Sequence, residues 1–237
     1  MSQGQRENYR KRRERIARQQ RRKRRMVLVG LVIVAILLAV GILKLGNFII
    51  VKIEESKIDY SVYWAKEEED MTVEMPEVDI QLLTINEYSR PGTSTERIQN
   101  IVIHYTANPG TTAQQNRDYF EGLKDSELTY ASSNFIIGID GEIIQCVPTT
   151  EIAYASNDAN IYSVSIELCH EDETGEFTDA TYESLVALTA YLCDKFDLES
   201  EDVIRHYDVT GKLCPLYYVH NEEAYEQLHT DITDAMK

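Results

Sequence analysis

The chain has 237 residues, 43% of them hydrophobic, and a formal net charge of −16, which gives room for one ordinary domain with a real core plus an appendage. The charge is split: residues 1–25 hold twelve Lys or Arg against two Glu, whereas residues 26–237 hold twelve basic residues against 38 acidic ones. The four cysteines (Cys146, Cys169, Cys193 and Cys214) form no C-x-x-C pair, and a domain of this size needs no disulfide framework.

The basic segment 1–25 shows no apolar periodicity, which leaves a nucleic-acid arm or a cytoplasmic tail beside a membrane span. Met26 to Leu43 then reads MVLVGLVIVAILLAVGIL, without a charge, and after Lys44 the apolar character continues to Val51. About 20 apolar residues cross a bilayer. The run is longer than the apolar region of a cleavable secretory signal. It therefore reads as an uncleaved signal anchor over 26–51, with its core at 26–43. Basic residues stay on the cytoplasmic side. The expectation is a single-pass type II protein of the cell membrane, with 1–25 inside, the rest outside and no nucleic-acid partner. Residues 52–77, with Glu67-Glu68-Glu69-Asp70 at the centre, read as an acidic stalk. The folded domain is placed at 78–237. Nothing in the chain names a protein partner.

Within the domain, Ile101–Tyr105 reads as a buried strand, β-branched until His104. Thr112 can cap a helix over Ala113–Leu123, with Tyr119, Phe120 and Leu123 inward. Asn134–Ile139 and Glu142–Val147 flank Asp140-Gly141, a hairpin signal in which both turn residues take positive φ. Residues 149–162 read as loop, and Ser163–Cys169 as a strand carrying Glu167. Thr178 caps the longest helix, Asp179 to Phe196, whose apolar stripe is core. Val203–His206 is a short strand, and Asn221 caps a last helix with Ala224, Tyr225, Leu228 and Ile232 inward. The order β-α-β-β-β-α-β-α indicates an α/β domain, a mixed central sheet flanked by helices.

The residues that carry chemistry are few. His104 and His206 each end a strand-like run, and Cys214 follows His206 across Thr210-Gly211, a turn that can fold it back. Zinc accepts imidazole and thiolate, and a catalytic site uses three protein ligands plus a water. Spacing alone leaves two readings open: metal ligands, or hydrogen-bonded histidines and an inert thiol. Cys146, Cys169 and Cys193 lie in apolar runs and read as small buried hydrophobes. His170 opens an acidic loop and reads as exposed. His220 and His229 lack partners at ligand spacing.

Four stretches carry a resemblance: I-V-I-H-Y-T-A at 101–107, S-N-F-I-I-G-I-D-G-E-I-I-Q at 133–145, S-V-S-I-E at 163–167, and R-H-Y-D-V-T-G-K-L-C-P at 205–215. From about Leu82 onward the chain resembles the zinc-dependent N-acetylmuramoyl-L-alanine amidases of the phage-lysozyme and peptidoglycan-recognition superfamily. The resemblance implies that fold and one catalytic Zn2+ held by His104, His206 and Cys214. It implies peptidoglycan as substrate, cleaved between the muramoyl group and L-alanine. It also implies Lys212 as oxyanion stabiliser and Glu167 as general base. It places Asn134, Tyr154 and Asn157 at the substrate groove. One departure is visible. Several relatives carry a tyrosine just before the strand matching Asn134–Ile139, where this chain has Ser133-Asn134, which shifts the proton-carrying role to Glu167.

Three other readings compete. A membrane-tethered module that binds peptidoglycan without cleaving it is the nearest, and retention of Cys214 argues against it. A zinc peptidase acting on another bond lacks its H-E-x-x-H helix. A tethered adaptor acting through its acidic face predicts no metal.

Overall fold

The computed structural model describes Ala65, Lys66 and residues 70–237. The basic tail, the anchor and most of the stalk expected from the sequence lie outside the described residues. Among the described residues no helix is long and apolar enough to cross a membrane.

The centre is a six-stranded sheet. Its strands are β1 (Asp79–Ile80), β2 (Asn100–Tyr105), β3 (Phe135–Ile137), β4 (Ile143–Gln145), β5 (Ser163–Leu168) and β6 (Val203–Arg205), in the spatial order β1-β4-β3-β5-β2-β6. Only β3 and β4 pair antiparallel; the other neighbours are parallel. The helices are α1 (Ala113–Ser126), α2 (Asp179–Phe196), α3 (His206–Thr210), α4 (Leu216–His220) and α5 (Glu222–Ala235).

Strand side chains alternate between faces, and here the alternation separates two cores. Ile101 and Ile103 of β2, with Val164, Ile166 and Leu168 of β5, face a core completed by α2 and α5. Ile136 and Ile144 point the other way, into a core closed by Ala113, Phe120 and Leu123 of α1. On that second face β5 presents Ser163, Ser165 and Glu167, and β2 presents Val102 and His104. The register sets His104 beside Glu167 on adjacent strands. The S-V-S-I-E-L alternation thus lays a polar row on the α1 side of the sheet.

The helix caps follow the sequence. Thr112 and Gln115 form a reciprocal capping box at α1. Thr178 Oγ1 accepts from the Thr181 N–H at α2, and Asn221 Oδ1 from the Ala224 N–H at α5. Two details differ from expectation. Tyr119 is 52% exposed, and Ala113 takes its place on the inner face of α1. The hairpin turn is also wider than two residues. The Gly141 N–H reaches the Gly138 carbonyl, the Gly138 N–H reaches that of Glu142, and only Gly141 of the Asp140-Gly141 pair takes positive φ, at 86°. A Cβ on Gly141 would lie 2.8 Å from the Ala180 carbonyl oxygen, so the hairpin's seat on α2 also requires glycine.

Chain upstream of residue 78 also packs. Ala65, Met71 and Val73 lie against the first core. Asp194 of α2, 5% exposed, accepts from Lys66 Nζ, the Thr72 N–H and hydroxyl, and the Val73 N–H. Burial works to raise the Asp194 carboxyl, but these donors outweigh it and hold it at about 2. Because α2 runs from the end of β5 back to the start of β6, this clasp sits at the N-terminal edge of the parallel strands. His104 and Glu167 lie at the C-terminal edge, where parallel sheets place their ligands.

Candidate metal centre

His104, His206 and Cys214 meet. Each offers one ligand atom, and the three atoms lie within 4.8 Å of one another. Each residue reaches the spot for a local reason. His104 is delivered by β2 and is 2% exposed. His206 is the first residue of α3, where β6 gives way to helix. The Arg205 N–H bonds to Asp208 Oδ2, and the Arg205 guanidinium also pairs with Asp208 and with Glu222, which sets the start of that helix. Gly211 ends α3 in the left-handed region at φ 78°. The chain then folds back until the Cys214 carbonyl accepts from the Tyr207 N–H at 2.9 Å.

The outer partners orient the imidazoles. Nε2 of His104 lies 3.0 Å from Ser156 Oγ, and Nε2 of His206 lies 3.1 Å from Asn157 Oδ1. The two rings meet edge-on with centroids 4.7 Å apart. Nδ1 of His104 faces Cys214 Sγ at 3.8 Å, and Nδ1 of His206 is buried with no partner. A buried, partnerless imidazole nitrogen beside a thiol costs stability unless something occupies the space between them. Burial, then His206 and Lys212, holds His104 well below its ordinary value; burial, then Lys212, lowers His206. Neutral imidazole is the ligand form. Burial pushes the Cys214 thiol up to about 12, so it holds its proton until a cation displaces it. Two nitrogens and one sulfur, fixed by second partners, fit zinc and leave a fourth position open.

The centre opens into a cleft of about 570 Å³, lined by His104, His206, Glu167, Lys212, Tyr130 and Tyr154 among others. Glu167 is partly buried, and its Oε2 is buried without a partner. Burial lifts its carboxyl to about 8, with Lys212 pulling the other way. Lys212 is exposed at the rim.

The sequence-derived site residues therefore divide. His104, His206, Cys214, Glu167, Lys212, Tyr154 and Asn157 come together. Asn134 does not join the cleft lining. It is 1% exposed, its amide donates to the Pro148 and Glu151 carbonyls, and its oxygen accepts from the Ser165 N–H and hydroxyl. It is a strut joining three segments and has no atom to spare for a ligand. His170, expected to be exposed, is 1% exposed, with Nδ1 2.7 Å from the Asp172 carbonyl and its ring against Tyr105. Cys146, Cys169 and Cys193 are buried and lie outside the cluster. The sequence placed Ser156 only within the groove loop at 153–157 and gave Tyr130 no role; the structure sets Ser156 Oγ on His104 and Tyr130 in the cleft lining.

Fold and site together define an α/β protein in which three side chains able to ligate a metal meet beside a partly buried carboxylate in an open cleft. A family model described as N-acetylmuramoyl-L-alanine amidase matches residues 94–216, just over half of the chain, and the chain belongs to that family. It is 34% identical over 157 residues to the N-acetylmuramoyl-L-alanine amidase CwlL of Bacillus licheniformis, covering 61% of this chain and 43% of that protein. It is 33% identical over 164 residues to the amidase BlyA of Bacillus subtilis (strain 168), covering 60% and 43%. The chain thus spans less than half the length of these curated relatives. Among solved structures it is similar to PlyL, with TM-score 0.58 and 20% identity over 66% of this chain and 97% of that one. It is also similar to a mutant endolysin from Bacillus subtilis, with TM-score 0.56 and 24% identity over 67% and 99%. These two likenesses show the shared fold.

Proposed function

We propose that the chain is a zinc-dependent N-acetylmuramoyl-L-alanine amidase. It hydrolyses the amide between the muramoyl lactyl group and L-alanine of peptidoglycan, and a single-pass type II anchor at 26–51 holds it outside the membrane. The observation that carries the reading is the convergence of His104, His206 and Cys214 with Glu167 and Lys212 on one cleft. Family membership supports the choice of bond. The uncharged run from Met26 to Leu43 behind a basic tail supports the tether.

The residues divide the work. His104 Nδ1, the unpartnered Nδ1 of His206 and Cys214 Sγ are the groups that would hold zinc. Bound there, zinc supplies Lewis acidity toward water and the amide carbonyl. Ser156 and Asn157 keep the two rings from turning. Glu167 Oε2 takes the proton of the attacking water and returns it to the leaving amine, a two-way task suited to a carboxyl tuned toward neutral pH. The Lys212 ammonium, at the cleft rim, meets the charge that develops on the carbonyl oxygen.

The test joins metal analysis of the full chain to digestion of purified cell wall. The reading expects stoichiometric zinc and release of L-alanine amino termini, both abolished by a chelator. Stoichiometric zinc without any release would point to a module that binds peptidoglycan and leaves it intact.

A further inference from the structure

Tyr105 is the last residue of β2, and the sheet supplies no partner for its amide. Successive amides of a strand point to opposite sides. The Thr106 N–H reaches the Leu168 carbonyl of β5 at 3.0 Å, so the Tyr105 N–H points toward β6. There the pairing of β2 with β6 has already ended at Ile103 and Arg205, and the chain has turned into α3. The group that the Tyr105 N–H meets instead is Cys214 Sγ. A backbone donor to the ligand sulfur is an outer partner of the kind that Ser156 and Asn157 provide for the imidazoles.

The position of that donor depends on how Tyr105 is held. Its ring lies on the face of the sheet opposite His104. The His170 ring packs against it, with centroids 5.2 Å apart. His170 is itself fixed. Its Nδ1 donates to the Asp172 carbonyl at 2.7 Å, and its own carbonyl accepts from the Gly110 N–H at 2.8 Å. The Asp172 carbonyl also accepts from the Gly175 N–H at 3.2 Å. A Cβ on Gly175, at φ 71°, would lie 3.4 Å from both a Tyr105 ring carbon and Leu216 Cβ. The loop from His170 to Gly175 thus braces Tyr105, the donor residue, and the chain just beyond Cys214, the acceptor.

Packing alone does not explain a histidine at this place. His170 is 1% exposed and its Nε2 is buried with no partner, a cost that an apolar ring of similar shape avoids. His170 is absent from the cleft lining and from the ligand cluster, so contact with substrate or metal does not account for it either. What the imidazole adds is the Nδ1 bond, which locks the ring to its loop.

We propose that His170 is a positioning residue for Cys214: through the Tyr105 ring it holds the Tyr105 N–H on the ligand sulfur. The inference rests on the metal reading of the site, and its test does not require turnover.

The experiment uses the full-length chain loaded with Zn2+ or Co2+. Zinc affinity is measured by competition with a chromophoric chelator, and the sulfur-to-cobalt charge-transfer band is recorded. A hydrogen bond to sulfur holds that band at higher energy, a signature that loss of stability alone does not move. His170→Phe fills the same space without the Nδ1 bond, and Tyr105→Ala removes the ring that His170 holds. Each weakens zinc about tenfold, as loss of an outer partner does, and each shifts the band to lower energy. Tyr105→Phe keeps the ring and stays within about threefold of the parent. The double variant, His170→Phe with Tyr105→Ala, is no weaker than Tyr105→Ala alone, because both changes act on one bond. Circular dichroism of the variants matches the parent, which separates a displaced donor from a lost fold. Parental zinc affinity and an unmoved band in His170→Phe would overturn the role, as would additive losses in the double variant. A parent chain that binds neither metal stoichiometrically would contradict the metal reading and the role with it; a parent that binds metal, beside unaffected variants, contradicts the role alone.

Discussion

Glu167 and Asp194 are carboxylates drawn out of water at opposite edges of one sheet, and their fates diverge. Burial works to raise both. Around Asp194 the upstream chain supplies four donors, and the carboxyl is held at about 2. Around Glu167 no donor reaches Oε2, and the carboxyl stands at about 8. A satisfied buried carboxylate acts as a structural fastener; an unsatisfied one beside a candidate metal site is poised to exchange a proton. Burial alone does not distinguish these roles, whereas the count of partners does.

The comparison can be broken most severely by removing one of the proposed ligands beside Glu167. Cys214→Ala loses stoichiometric zinc and at least about 10³-fold in activity; metal analysis beside a turnover assay checks both. Glu167→Gln sharpens the contrast. It keeps zinc and the fold and loses about 10²–10⁴-fold in kcat, the range expected for a lost proton carrier. Full activity in that variant would remove Glu167 from the reaction.

Asp194→Asn is the mirror experiment. It costs about 2 kcal/mol of stability in denaturant at pH 7 and leaves kcat of the folded protein unchanged. The sign in pH follows from a folded value of about 2 against an ordinary 3.8. The Asp194 contribution is full above about pH 4 and is lost as pH falls through 2, so the gap between parent and variant closes in acid. A gap that widened in acid would contradict the clasp. Lys66→Met is the smallest effect. Lys66 is 36% exposed, and a half-exposed ion pair contributes roughly 0.5–1 kcal/mol.

The sequence was most readable where chemistry is local. The bounds of α2 followed from Thr178 and its apolar stripe, and His104 followed from a β-branched run that stops at a polar residue. Spacing raised His104, His206 and Cys214 as one of two readings and only resemblance chose it, because their approach depends on strand order and on the turn at Gly211. Asn134 was misplaced because the motif gives its position along the chain but not its three backbone partners. His170 was misread because its acidic neighbours suggested solvent, while the ring is held by Tyr105 and the Asp172 carbonyl. The Asp194 clasp was invisible for a different reason. Its donors lie in a segment whose composition reads as a solvated spacer, and no periodicity links residue 72 to residue 194.

The most direct measurement is the yield of new L-alanine amino termini when the full-length chain digests purified cell wall, before chelation, after it, and after zinc is restored. The account predicts release, its loss on chelation and its return with zinc. Release that survives complete removal of metal, or none from a zinc-loaded chain, would contradict it.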